Sequence, residues 1–521
     1  MGCARVYMCM YMDVAFILCM SLVELRGLEI PRRNLKWDSP SGKAGVGNNR
    51  QFSAPRRDHH FNSPASSTRS MYAFSDAPVT RSAKPTMPPQ SPNGTYALSV
   101  RQFGAKGDAK ADDTEAFQKT LDEAYRLGSL VVIVPPGQYI LRGNLTVPTG
   151  CTLQGTYSYV PSHIMRTDLP TENRPTDGSV LLAYGGRHVD NGCLVTLNEL
   201  ATIRGFTIYY PEQVADKTPV PYPWSVCLTG INTAVTDLEC LNCWNAIKAI
   251  KAHRHYIARV QGQPINTGVF VDEIHDIGRI EDVHFNPWFS DNRNFTNWQM
   301  VHGQAFVFGC TDWQYVFNTF AFAYAVGYRF VETEAGACNG NFLGIGADQT
   351  ANASIMVDNV KRHGLRITNG EFTAFRKSLF GKEIANPTQV WIKASNTGDV
   401  RISNSAFWGP SNQIAMIGGN GTIGFTGCTF VEWDADTMDN AAIYVIGAAG
   451  NLIVEGCDFA KTKTPVSHFT LDDTLARAII IGNTFATPLR IFGHAHNTQV
   501  GLNADNSSHS TTDNNDNTVY L

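Results

Sequence analysis

Six carboxylates crowd into twenty positions of one segment, GVFVDEIHDIGRIEDVHFNPWFSDN: Asp272, Glu273, Asp276, Glu281, Asp282 and Asp291. Cleaving a glycosidic bond by hydrolysis needs two carboxyl groups, one protonated to donate to the leaving oxygen and one ionised to activate water or attack carbon. Crowded carboxylates push one another's pKa values apart, which creates that division of labour. Asp272, Asp276 and Glu281 are the acid, base or nucleophile candidates on this reading, with Glu273, His284 and Asp291 supporting them. Asp282 is assigned mainly to a backbone bend. From Phe285 to Phe330 fifteen of 46 residues are aromatic. Alternation in FNTFAFAY makes most of the Phe core filling, whereas Trp288, Trp298 and Trp313, flanked by polar residues, are candidates to stack on sugar rings. An elimination reaction would instead need a base on the proton α to a uronate carboxyl and a cation, Ca²⁺ or a side chain, to neutralise that carboxyl. Lys248, His253, Arg254, His255, Arg279 and Arg293 supply such material, Arg279 and Arg293 also as substrate-binding cations. No dense oxygen-ligand spacing marks a metal site, and no cofactor is implied.

The elements that must hold these groups are written as a recurring phrase. An apolar residue, any residue, then Gly, Asn or Asp as a pivot, usually with an aromatic three positions later, occurs in LRITNGEF (Asn369, Phe372), VRISNSAF (Asn404, Phe407), IGFTGCTF (Gly427, Phe430), LIVEGCDF (Gly456, Phe459), IIIGNTF (Gly482, Phe485) and GRIEDVHF (Asp282, Phe285). Looser copies surround Gly205 and Asp237. Pivots recurring every 20 to 40 residues signal a solenoid. Each pivot type tolerates φ > 0, so each unit reads as two short strands bent at that residue. Flanking apolar side chains then point inward, and stacked units bury a continuous core. A β-sandwich would require tight hairpins, and Asn-Gly or Asp-Gly dipeptides between alternating runs are nearly absent. The fold class is therefore all-β, a single-stranded parallel β-helix. On the strand GVFVDEI, Val269 and Val271 face in while Phe270 and Asp272 face out, and Cys428 and Cys457 stack as buried thiols one coil apart.

Upstream, Asp112 and Glu115 form a candidate capping box opening a helix that could cover the end of the solenoid, followed by a strand stopped at Pro135-Pro136-Gly137. Phe103-Gly104-Ala105 with Gly107-Asp108, Asp112-Asp113-Thr114 with Ala116-Phe117, and Val134-Pro135-Pro136-Gly137 with Tyr139 together resemble the opening of the pectate-lyase-like superfamily, in the branch of rhamnogalacturonases, polygalacturonases and tailspike domains. The resemblance implies a right-handed parallel β-helix with an N-terminal capping helix, a polysaccharide partner and either a monomer or a homotrimer. It implies no one activity, because the superfamily holds hydrolases, lyases, epimerases and binders. The polygalacturonase Asn-Thr-Asp is echoed only by Asn266-Thr267-Gly268, which lacks the acid, and His302-Gly303 stands too close to the acidic cluster to match their His-Gly. No catalytic residue carries over. Glycoside hydrolysis is the leading expectation; a polysaccharide lyase and a non-catalytic carbohydrate-binding β-helix are the alternatives.

Composition bounds the rest. With 42 basic against 46 acidic side chains and a net charge of −4, nothing marks a nucleic-acid binder. The apolar run at 14–23 is too short to span a bilayer. As an export signal that run has Arg5 upstream but no small-residue cleavage site, and the expectation of a secreted or cell-surface protein rests on the carbohydrate reading. Residues 1–95 read as a disordered region, 96–495 as the β-helix and 496–521 as a polar tail. Cys240 and Cys243 form a lone CxxC without zinc-site partners and are read as core thiols.

Overall fold

A computed structural model describes residues 96–163, 175–213, 217–287, 293–375, 387–463 and 466–506. Every ladder between its regular strands is parallel, in one sheet of 25 and another of 13 strands. Each coil gives one strand to the smaller sheet and one strand, or a bent pair, to the larger, so the chain is a right-handed parallel β-helix.

The bend column is more complete than the sequence phrase. Gly205, Asp237, Arg259, Asp282, Asn318, Gly344, Asn369, Asn404, Gly427, Gly456, Gly482 and Leu502 occupy equivalent positions in successive coils, all with φ between 48° and 78°. Arg259 and Leu502 are not residues that favour this conformation. At Arg259 an ion pair to the preceding pivot, Nε to Asp237 Oδ1 at 2.6 Å, holds the bend. Leu502 lies beyond position 495, and strands continue to Ala504–Asp505. The solenoid therefore takes in residues expected in the polar tail.

Aromatics three positions after the pivot point inward and stack. Ring centroids along Phe372, Phe407, Phe430, Phe459 and Phe485 are 5.2, 5.5, 4.7 and 4.7 Å apart. Cys428 and Cys457 are both unoxidised and buried, the Cys428 N–H pointing at Cys457 Sγ. Cys240 and Cys243 are buried thiols too, and the Cys240 pKa is raised by its hydrogen bond to Cys243 and by burial. One pair the sequence did not single out is joined: Cys193 and Cys227, on adjacent strands of the smaller sheet, form a disulfide.

Helix α1 (Thr114–Arg126) buries Phe117, Leu121 and Ala124 against the first coil. Its expected capping box does not form. Asp112 Oδ1 accepts from the Thr114 N–H and hydroxyl, and the N-cap Asp113 turns away from the helix to accept from the Lys106 and Gly107 amides. Helix α2 (Arg293–His302) interrupts the solenoid between the strands Arg279–Phe285 and Gln304–Phe308. The strand expected from the alternation in FNTFAFAY forms within Thr311–Phe322.

Candidate functional site

The acidic cluster does not assemble as an open pair of carboxylates. Asp272 ends its strand buried rather than facing out, because the chain turns there; Oδ1 accepts from the Glu273 and Cys310 amides at 2.9 and 2.7 Å and from the Thr333 hydroxyl at 2.9 Å. It ties the turn across neighbouring coils. Glu273 lies 3.4 Å from Lys251 Nζ, and Asp276 pairs with Arg254 Nη1 at 2.5 Å. Glu281 accepts from the Tyr256 hydroxyl, whose pKa that bond raises, and the pivot Asp282 accepts from Asn318 Nδ2 at 2.6 Å. His284 packs edge-on against Phe320, and burial lowers its pKa. Trp288 and Asp291 lie outside the described residues. Trp298 sits on α2 against Trp244 and His302, packed on the core instead of offering a free face. Arg293 and Arg279 are exposed, and Arg279 makes no ion pair among the described residues.

Trp313 meets the expectation of an open face, at 61% exposure, and it has company. Tyr315 (42%) and Phe317 (49%) alternate with the buried Gln314 and Val316, so the strand Thr311–Phe322 presents three aromatic side chains on one outward face. Phe317 pairs in register with Glu281 on one side and with the exposed Leu343 on the other, and Tyr315 pairs with Arg279. A contiguous exposed apolar row of this kind is a candidate binding face.

Beside it, along the edge where the chain passes from the smaller sheet to the larger, polar groups from consecutive coils form a ladder. Ile274 bridges to Thr311, with Ile274 N–H on Cys310 O at 2.9 Å and Asp312 N–H on Ile274 O at 2.7 Å. That bridge sets His275 next to Asp312, Nδ1 to Oδ2 at 3.9 Å. On the coil before, His253 Nδ1 accepts from the His275 N–H at 3.1 Å, and the rings lie 5.6 Å apart. Burial, then the neighbouring His275, lowers the His253 pKa. On the coil after, Asn339 Nδ2 donates to Asp312 Oδ1 at 3.0 Å and lies 2.9 Å from His363 Nε2, while Asn339 Oδ1 accepts from the Trp313 N–H at 2.8 Å. Lys361 Nζ donates to the same Asp312 oxygen. Lys361 and His363 reach this edge because the register slips between Cys338–Val360 and Gly340–Leu365, extruding Lys361-Arg362-His363 as a bulge. Bulges re-aim side chains in this way, often beside functional sites.

Sequence reasoning singled out Trp313 and His253 but not His275, Asp312, Lys361, His363 or Tyr315. Asp312 and Lys361 are 49 residues apart and carry no local motif; the register slip that joins them belongs to the ladder, not to the phrase. Among the described residues no group of three or more His, Cys, Asp or Glu side chains converges to hold a metal ion. Also among them, no helix is long and apolar enough to cross a membrane.

Fold and wall together define a parallel β-helix with an exposed aromatic row along one side. Residues 97–311 match the rhamnogalacturonase A/epimerase, pectate lyase-like family, which places this stretch in the pectate-lyase-like superfamily, and the parallel β-helix continues beyond it to Asp505. A 114-residue stretch, 22% of the chain, is 33% identical to the "Non-secreted LysM effector LysM19" of Penicillium expansum. Another of 62 residues, 12% of the chain, is 37% identical to "Alginate lyase 7" of Azotobacter vinelandii. These stretches cover only 9% and 7% of those proteins. Among solved structures, a tailspike protein of E. coli bacteriophage HK620 aligns over 79% of this chain and 78% of its own, with a TM-score of 0.48 and 10% identity.

Proposed function

We propose that the protein is a carbohydrate-active enzyme that cleaves a uronate-containing polysaccharide by β-elimination on the wall formed by Trp313, Tyr315 and Arg279. One observation carries this choice over hydrolysis. Each described acid of the cluster is held by a donor, whereas His275 is 57% exposed with the Asp312 carboxylate at Nδ1, leaving Nε2 for proton transfer. His275 takes the proton α to the uronate carboxyl; the electron pair forms the ring double bond, the bond to the glycosidic oxygen breaks, and the His275 imidazolium so formed returns the proton to that oxygen as it leaves, which restores the base. Asp312, itself held by Lys361 and Asn339, lies 3.9 Å from His275 Nδ1 and favours the imidazolium that forms. Arg279 meets the uronate carboxylate, and Trp313 and Tyr315 stack on sugar faces. The match to alginate lyase 7 supports the class of chemistry over its short span. The Cys193–Cys227 disulfide supports an exported protein, since such bonds persist in oxidising compartments.

Hydrolysis is the second reading, favoured by Glu281, which stands on the same wall beside Phe317. A panel of polyuronates and neutral glycans separates the readings. Elimination yields ultraviolet-absorbing unsaturated ends, hydrolysis yields reducing ends without that absorbance, and a non-catalytic binder yields neither. His275→Ala is expected to lower kcat by at least about 100-fold with Tm unchanged. Full activity in that variant would overturn the site.

A further inference from the structure

The Lys361-Arg362-His363 bulge has two sides. Lys361 and His363 turn to the Asp312 ladder, while Arg362 lines a separate polar cleft of about 640 Å³ with Thr397, Asp399, Arg401, Asn420 and Asn451. That size falls within the roughly 300–1,000 Å³ of small-ligand clefts. The cleft runs along the same edge of the solenoid as the ladder. In register, Tyr315 is followed by Asn341, Arg366, Arg401, Gly424 and Ile453 on successive coils. At about 4.8 Å per coil, Arg401 stands roughly 14 Å and Asn451 roughly 24 Å from the aromatic wall.

Its charges are arranged for an anion. Asp399 sits between two guanidinium groups, Oδ2 to Arg366 Nη2 at 3.1 Å and Oδ1 to Arg401 Nε at 3.0 Å, so it uses only part of their donor capacity. Arg362 adds a third guanidinium that makes no ion pair among the described residues. Gly424 next to Arg401 leaves room for that side chain to lie along the axis, since a Cβ at 424 would come within 2.7 Å of Arg401 Nη1. Asn451, which donates to Thr422 Oγ1 at 2.9 Å, closes the far end with an amide suited to sugar hydroxyls.

We propose that this cleft is an extended subsite that holds a uronate residue of the same glycan chain two to five coils from the reacting bond, so that the enzyme acts internally on long chains. The inference rests on the elimination reading for its substrate and goes beyond it in assigning a second recognition site. Arg362→Ala combined with Arg401→Ala is expected to lower kcat/KM on polyuronate at least tenfold, while the shortest oligomer that the enzyme cleaves is processed at the wild-type rate. Arg401→Lys, which keeps charge but loses the fork, should fall between. An equal loss on polymer and short oligomer, or no loss on polymer, overturns the subsite. Should Arg401→Ala lower Tm, Arg362→Ala alone gives the same comparison, because it breaks no ion pair. If the wild type cleaves no polyuronate, the elimination reading fails, and migration through gels containing polygalacturonate tests the cleft by itself. Retardation of the wild type but not of the double variant sustains it; an unretarded wild type overturns it.

Discussion

The coils from Val360 to Asp505 and those from Asn245 to Phe330 solve one packing problem with opposite use of aromatic side chains. In the later coils the aromatics three positions after the pivots point inward, from Phe372 to Phe485, while Trp391, Trp408 and Tyr444 stay half-buried on the outer face, and the pivots are Asn or Gly until the last. In the earlier coils the core stack persists, with Phe285 on Phe306 and Phe306 on Tyr328 at 5.4 and 4.8 Å, but Trp313, Tyr315 and Phe317 turn to solvent and Trp313 itself takes φ 53°. The interior is thus held to a rule that function does not touch, and recognition is written where that rule leaves the surface free.

The widest split between the two regions should come from removing one ring in each. Phe430→Ala empties a fully buried site in the stack and is expected to cost about 3–5 kcal/mol of stability by chemical denaturation. Tyr315→Ala should change stability by less than about 1 kcal/mol and weaken glycan binding instead. Equal stability losses would erase the distinction between stack and wall.

Acid sharpens the comparison, because each region buries one histidine whose pKa burial lowers to about 4: His255 in the earlier coils and His468 in the later. His468 Nδ1 accepts from the Arg490 N–H at 3.1 Å, a bond that protonation of that nitrogen would break. The folded pKa lies below the unfolded value of about 6.5, so the stabilisation is complete above pH 6.5 and is lost as pH falls toward 4, by up to roughly 3 kcal/mol per histidine. Tm measured from pH 7 to pH 4 should fall accordingly, and His468→Gln should flatten the slope; an unchanged slope would remove His468 from the account.

The smallest effects have opposite signs. Gly427→Ala places a Cβ at φ 62° and 2.9 Å from Asn404 Oδ1, for an expected loss of about 1 kcal/mol. Trp313→Asn relieves φ 53° and should leave stability unchanged or raise it by up to about 1 kcal/mol while weakening glycan binding. A fall in Tm for Trp313→Asn would show that the indole holds the wall together.

Legibility follows the same division. The solenoid could be read because its pivots need residues that tolerate φ > 0 and its core needs an aromatic at a fixed offset. Where the structure uses other means the phrase vanishes: Arg259 bends through its pairing with Asp237, and after Asn318 and Gly344 the inward position is filled by Ala321 and Ala347. Alternation failed at Asp272 because a strand-end residue follows the turn and not the pleat. The ladder of His275, Asp312 and Lys361 could not be read at all, since it depends on which coils become neighbours and on a register slip at Val360.

The phenylalanine column makes the length of this molecule a quantised variable. Residues 427–455 begin at one pivot and stop just short of the next, so their excision would bring Phe459 onto Phe407 with the repeat intact, a protein shorter by one storey. Lineages can in this way lengthen or trim such a tower by whole floors, and the reach of any polymer track along its side changes in the same discrete steps.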